Sequence, residues 1–106
     1  MDNLKVLGQA YPAITTLSTL YTATVQTAVS SIVVCNQATT AGTFSVSVRV
    51  AGAVDTPAQY LYFEQYLKAK STFIATIGIT LAPTDLVSIQ SSNGWMSFNL
   101  FGALVS

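Results

Sequence analysis

Apolar and polar residues alternate along most of this chain with a period of two, the spacing that sends successive side chains to opposite faces of a β-strand. The clearest run is Thr43 to Val50, with Phe44, Val46, Val48 and Val50 on one face and Thr43, Ser45, Ser47 and Arg49 on the other. Such a strand lays one face on a core and the other on solvent or a partner. Thr72 to Leu81 follows the same rule, setting Phe73, Ile77, Ile79 and Leu81 against Thr72, Thr76 and Thr80. Leu86 to Ser91 alternates through Val87 and Ile89, and Trp95 to Phe101 through Met96, Phe98 and Leu100. Ala28 to Asn36 carries the β-branched run Ile32-Val33-Val34, and two weaker strands, Lys5 to Tyr11 and Leu17 to Ala23, flank Pro12.

The breaks between these runs hold turn-forming residues. Asn93-Gly94 is the dipeptide of a type I′ turn, in which both central residues need positive φ, and it predicts a hairpin between the last two strands. Pro83-Thr84-Asp85 suits a tight turn, and Thr40-Ala41-Gly42 and Lys68-Ala69-Lys70-Ser71 supply two more. Residues 57–68 fit two structures. Asp55-Thr56-Pro57 would cap a helix in which Glu64 precedes Lys68 by one turn, whereas Tyr60-Leu61-Tyr62-Phe63 favours a strand, the preferred reading. Strand signals recurring every ten or so residues predict an all-β chain. The expected fold is a single antiparallel β-sandwich of seven to eight strands, jelly-roll-like, spanning residues 1–106 as one domain. Residues 1–10 fit either a first strand or an extended arm.

Composition narrows the function. Half of the chain is apolar, enough for one core, but only 8% is charged, against roughly 25% in an ordinary soluble domain. Ser and Thr, 25 residues together, supply most of the polar surface. A surface so poor in charge resists association weakly, which points to a chain that is covered by partners. Lys5, Arg49, Lys68 and Lys70 are too few and scattered to displace counterions from phosphate, so no nucleic-acid partner is expected. The longest apolar runs, Ile32 to Cys35 and Leu100 to Val105, fall far short of the ~20 residues of a membrane helix. Met1 to Lys5 shows no basic head followed by an apolar run, so no signal peptide is expected.

Catalytic chemistry has little to build on. The chain has no histidine, which removes the Ser-His-Asp triad and every imidazole metal site. Cys35 stands alone in an apolar run and reads as a small buried hydrophobe. Asp2, Asp55, Glu64 and Asp85 have simpler readings than a catalytic pair, and Asp85 in particular sits where its carboxylate accepts backbone N–H bonds in a turn. Lys70-Ser71 lies in an exposed turn where the lysine stays charged, and the six glycines form no phosphate loop. No enzyme, cofactor or metal is expected.

Binding is better served. If residues 60–67 form a strand, Leu61, Phe63 and Leu67 share one face and Tyr60, Tyr62, Glu64 and Tyr66 the other. Outward tyrosines give an interface area at low entropic cost, although the reverse facing would place them at the core margin. Trp95 and Phe101, on the face opposite Met96, Phe98 and Leu100, complete the interface candidates, with a cap on the sandwich end as the plainer role for Trp95.

Several stretches together resemble a family of short tailed-phage virion proteins. They are Val6-Leu7-Gly8-Gln9, Thr19-Leu20-Tyr21-Thr22, Ser30 to Asn36, Tyr60-Leu61-Tyr62, Gly78-Ile79-Thr80-Leu81 and Ser97 to Gly102. Where that family often has Val-Pro-Ala-Gly after the Leu-Tyr-Thr strand, this chain has Ala23-Thr24-Val25-Gln26, a turn without proline or glycine. The resemblance implies a β-sandwich structural protein of a bacteriophage virion, made in the host cytoplasm, and it lends no catalytic residue. The expected role is capsid decoration: a cement protein on the outer shell, as trimers at local three-fold positions, contacting the major capsid protein and copies of itself. A tail, baseplate or fibre accessory that touches a host glycan through Tyr60, Tyr62, Tyr66 and Trp95 is the alternative, followed by a free carbohydrate-binding sandwich.

Overall fold

The computed structural model describes residues 3–54 and 57–104. Asp2, Asp55 and Thr56, considered above as carboxylates or a helix cap, lie outside the described residues. Eight strands form: β1 (Asn3–Ala10), β2 (Ser18–Thr22), β3 (Thr27–Asn36), β4 (Gly42–Arg49), β5 (Tyr60–Leu67), β6 (Thr72–Leu81), β7 (Leu86–Ser91) and β8 (Met96–Leu104). Short 3₁₀ turns at Val50–Gly52 and Pro57–Gln59 lead from β4 towards β5. Residues 60–67 are thus a strand, and Asn3–Ala10 pairs along β8 inside the domain instead of leaving it as an arm.

The strands make two antiparallel four-stranded sheets, ordered β1-β8-β3-β6 and β2-β7-β4-β5. Ladders β1–β8, β2–β7, β3–β6 and β4–β5 pair the chain with itself from its two ends inwards, and β3–β8 and β4–β7 join them side by side. This is a long hairpin wrapped into a sandwich, the jelly-roll arrangement that the alternation predicts. Ile32, Val34, Leu81, Phe98 and Leu100 of one sheet and Phe44, Val46, Val87 and Ile89 of the other are essentially fully buried between them. Phe44 is the pivot, with its ring 6.1 Å from Phe98 and 5.1 Å from Phe73.

Every connection from β1 to β8 except the 3₁₀ passage from β4 into β5 has to change sheets, and this overturns one turn assignment. β7 and β8 belong to different sheets, so residues 92–95 bridge the sandwich and form no hairpin. Neither Asn93 nor Gly94 takes positive φ; instead Asn93 Oδ1 accepts the Trp95 N–H at 2.9 Å. Pro83-Thr84-Asp85 also crosses between sheets, with Thr84 in the left-handed region. Residues 23–26 make their crossing without proline or glycine, because Ala23 exchanges backbone hydrogen bonds with Asp85 and Thr84 and the Thr27 hydroxyl donates to the Val25 carbonyl.

Two other positions differ from the alternation pattern. Val50 leaves the inward face of β4 for the 3₁₀ turn and is exposed. Cys35 is half-buried on the outward face of its strand, where it pairs with Thr72 and Ser97, and is no core residue.

Candidate interaction surfaces

The six interface candidates do not converge on one patch. On β5 the expected faces are reversed at the start and then switch. Tyr62 lies opposite Val46, which points into the core, so it too points inward, with its ring 6.3 Å from Phe44 and 5.2 Å from Phe73. Tyr62 closes the β5–β6 side of the sandwich, while Leu61 and Phe63 face out. Glu64 then adopts φ 50°, and its N–H donates to Ser45 Oγ at 3.0 Å. The register shift between Phe44 and Val46 absorbs the additional residue, so beyond it Leu67 is buried and Tyr66 is exposed. Such a bulge flips every later side chain relative to a strict period of two. Tyr60 is half-buried and meets Phe63 edge-on, with centroids 5.1 Å apart.

Phe63 and Glu64 form one wall of a shallow groove on the outer face of the β2-β7-β4-β5 sheet, about 230 Å³, with Thr43, Ser45 and Gln90 on its floor. Much of its hydrogen-bonding capacity serves the fold: Gln90 Nε2 donates to the Thr15 carbonyl at 3.1 Å, and the Thr43 N–H to Ser92 Oγ at 2.8 Å. Glu64 is the single carboxylate lining it, so it offers no carboxylate pair for hydrolysis. Among the described residues no cluster of potential metal ligands occurs, and no helix is long and apolar enough to cross a membrane.

Trp95 is exposed at the end of the sandwich, beside Gln37, Asn93 and Lys70 and away from the β5 tyrosines. Phe101 lies on the outer face of the other sheet, in a row that runs Thr76, Ser31, Phe101, Val6 across all four strands. The adjacent row is Ile74, Val33, Asn99, Gln9, and a third brings together Thr72, Cys35 and Ser97. Asn99 accepts a hydrogen bond from Gln9 Nε2 at 2.7 Å within its row.

This second face is the widest feature that inspection of single residues does not reveal. The four strands β1, β8, β3 and β6 carry one charged residue, Lys5 on an edge. The remaining described charges lie on the other sheet, at Arg49 and Glu64, or in turns, at Lys68, Lys70 and Asp85. Low overall charge was legible in the composition; its near-absence from one whole face requires the strand order. No family model, curated protein or solved structure matches this chain.

Proposed function

We propose that this chain is a structural protein of a bacteriophage virion, a capsid cement protein that docks on the assembled shell and stabilises it. The observation that carries the reading is the uncharged outer face of the β1-β8-β3-β6 sheet, in which Val6, Val33, Ile74 and Phe101 alternate with hydroxyl and amide side chains. Depletion of charge with retained aromatic and polar groups is how the centre of a protein interface differs from free surface. The resemblance of the short sequence pieces supplies the virion; the face supplies a means of docking.

The mechanism is mass action. A protein that binds the assembled shell and not its dispersed subunits lowers the free energy of the shell, and small contacts multiply over many copies. Docking in threes at local three-fold positions would let each cluster bridge neighbouring copies of the major capsid protein. The test is the ratio of this chain to the major capsid protein in purified particles, by quantitative mass spectrometry. A ratio near one supports cement, and absence from particles removes the virion reading.

The tail or fibre reading has one observation in its favour, the groove beside Phe63 and Glu64. An exposed aromatic ring with amide, hydroxyl and carboxylate groups next to it is the equipment for gripping a sugar. Its stacking residue would be Phe63, because Tyr62 is turned into the core. A ratio of a few per cent in particles would support this second reading.

A further inference from the structure

An edge strand presents a row of unpaired N–H and C=O groups that templates the addition of another strand, and folded chains blunt such edges with charge, bulges or shortness. All four edges here carry a register shift, and three of them add a second device. β1 has Lys5 and a register shift between Val6 and Gly8. β2 is five residues long and shifts between Thr19 and Tyr21. β5 shifts twice against β4 and holds Glu64 in the left-handed region. β6 is ten residues long, has neither a charged residue nor a proline, and alternates in and out without a break from Thr72 to Leu81. Its one register shift, like those of the other edges, is against its ladder partner: β6 advances three residues, from Ile79 to Thr76, while β3 advances two, from Val29 to Ser31. What sets β6 apart is length with no charge, proline or left-handed residue.

β6 also contains a glycine, Gly78, within the stretch where its register against β3 shifts. Gly78 is exposed, its φ is not left-handed, and a Cβ added there would meet no atom within 4 Å. Glycine inside a strand marks a bulge or a close approach of another backbone; here it sits at the bulge and also leaves an open notch on the outer face of the edge. Four residues earlier on the same face, Ile74 is 67% exposed.

We infer that β6 is a self-association edge: two copies pair their β6 strands antiparallel about a two-fold axis through Thr76. This fuses the two β1-β8-β3-β6 sheets into one continuous sheet. In this register Ile74 of one copy lies against Gly78 of its partner and Ala75 against Ile77, large against small, while Phe73 meets Ile79 on the inward face. Thr72 meets Thr80, and Thr76 meets its own copy, pairings that stabilise antiparallel ladders. A charge near a two-fold axis would face its own like charge, and β6 has none. The interface is isologous and closes at two copies. It stands on the edge geometry alone; if the chain also decorates a shell, the pair would tie neighbouring docking positions together.

The test is sedimentation velocity on the full chain at micromolar concentrations, with a dimer expected. Gly78→Val fills the notch that receives Ile74 while entering open space in its own chain. Its thermal midpoint is expected to hold or rise, because valine favours strands, while dimerisation weakens by roughly tenfold or more, the lost contact occurring twice. Thr76→Lys sets two ammonium groups face to face on the axis and should give a folded monomer. A wild-type chain that is monomeric throughout, or trimeric, overturns the inference. So does a dimer that survives both substitutions in folded protein. Particle stoichiometry tests the cement reading separately, so the two fail independently.

Discussion

The carboxylate of Asp85 accepts the backbone N–H of Ala51 at 2.8 Å through one oxygen and that of Ala82 at 2.9 Å through the other. Ala51 belongs to the 3₁₀ turn after β4, where it takes φ 54°, and Ala82 follows β6, so one buried side chain fastens two loops at the same end of the sandwich. A carboxylate that satisfies two backbone donors is a structural clamp. Asp85→Ala orphans both donors and is expected to cost about 2 kcal/mol in urea unfolding. Asp85→Asn keeps one acceptor oxygen and should fall between the two.

Asn36 does the corresponding work at the opposite end. It is fully buried; its Nδ2 lies within hydrogen-bond reach of the carbonyls of Thr40, Leu67 and Lys68, and its Oδ1 accepts the Ala38 N–H at 3.0 Å. The chain thereby ties the end of β3 to the end of β5. Asn36→Leu, close in volume but without hydrogen-bonding groups, leaves those backbone groups unpaired. It is expected to destabilise by about 3 kcal/mol, measured by chemical denaturation with the wild-type m-value retained.

Asp85 and Asn36 also mark how far the sequence could be read. The strand runs of residues 72–81 and 86–91 coincide with β6 and β7, because each keeps one face on the core and period-two alternation reports that directly. Asp85 was legible in part, since a turn carboxylate accepts local donors; its bond to Ala51 depends on a loop 34 residues away in sequence. Asn36 carried no sequence signal, as a strand-end asparagine is ordinarily solvated. Asn93-Gly94 misled because the hairpin preference of that dipeptide is local, whereas the partner of β8 is set by the wrapping of the whole chain. Tyr62 misled for a related reason: a single bulge at Glu64 inverts facing, and no residue in Tyr60–Leu67 announces it, glutamate being an uncommon occupant of positive φ.

Gly8 lies where the edges of the two sheets come together. A Cβ at this position would overlap the Leu20 carbonyl oxygen of β2, which is backbone and cannot swing aside. Gly8→Ala must therefore push β1 away from β2 and is expected to cost about 2 kcal/mol. Amide hydrogen exchange should localise the change, with protection lost along β1 and kept in β3 and β4.

Ser47 offers the opposite sign. Its hydroxyl is fully buried on β4 and has no hydrogen-bond partner. Burial of an unsatisfied hydroxyl opposes folding, so Ser47→Ala should raise stability by about 1 kcal/mol. The thermal midpoint of the variant, compared under identical conditions, is the measurement.

The uncharged face makes a prediction about assembly that stability does not share. Val33 sits on its central strand β3, between Ile74 of β6 and Asn99 of β8, half-buried and pointing away from the core. Val33→Lys leaves the inward residues Ile32 and Val34 untouched, and the lysine stem can lie along its neighbours with the ammonium in water. The free protein should keep its fold, with a loss of at most about 1 kcal/mol. Against a capsid the same ammonium would be desolvated without a partner, at a cost of several kcal/mol. Incorporation of Val33→Lys into particles should then fall to a small fraction of wild type while Phe63→Ala, on the other sheet, incorporates normally. Normal incorporation of Val33→Lys would move the docking surface off this sheet. Loss with Phe63→Ala alone would transfer the role to the groove beside Glu64.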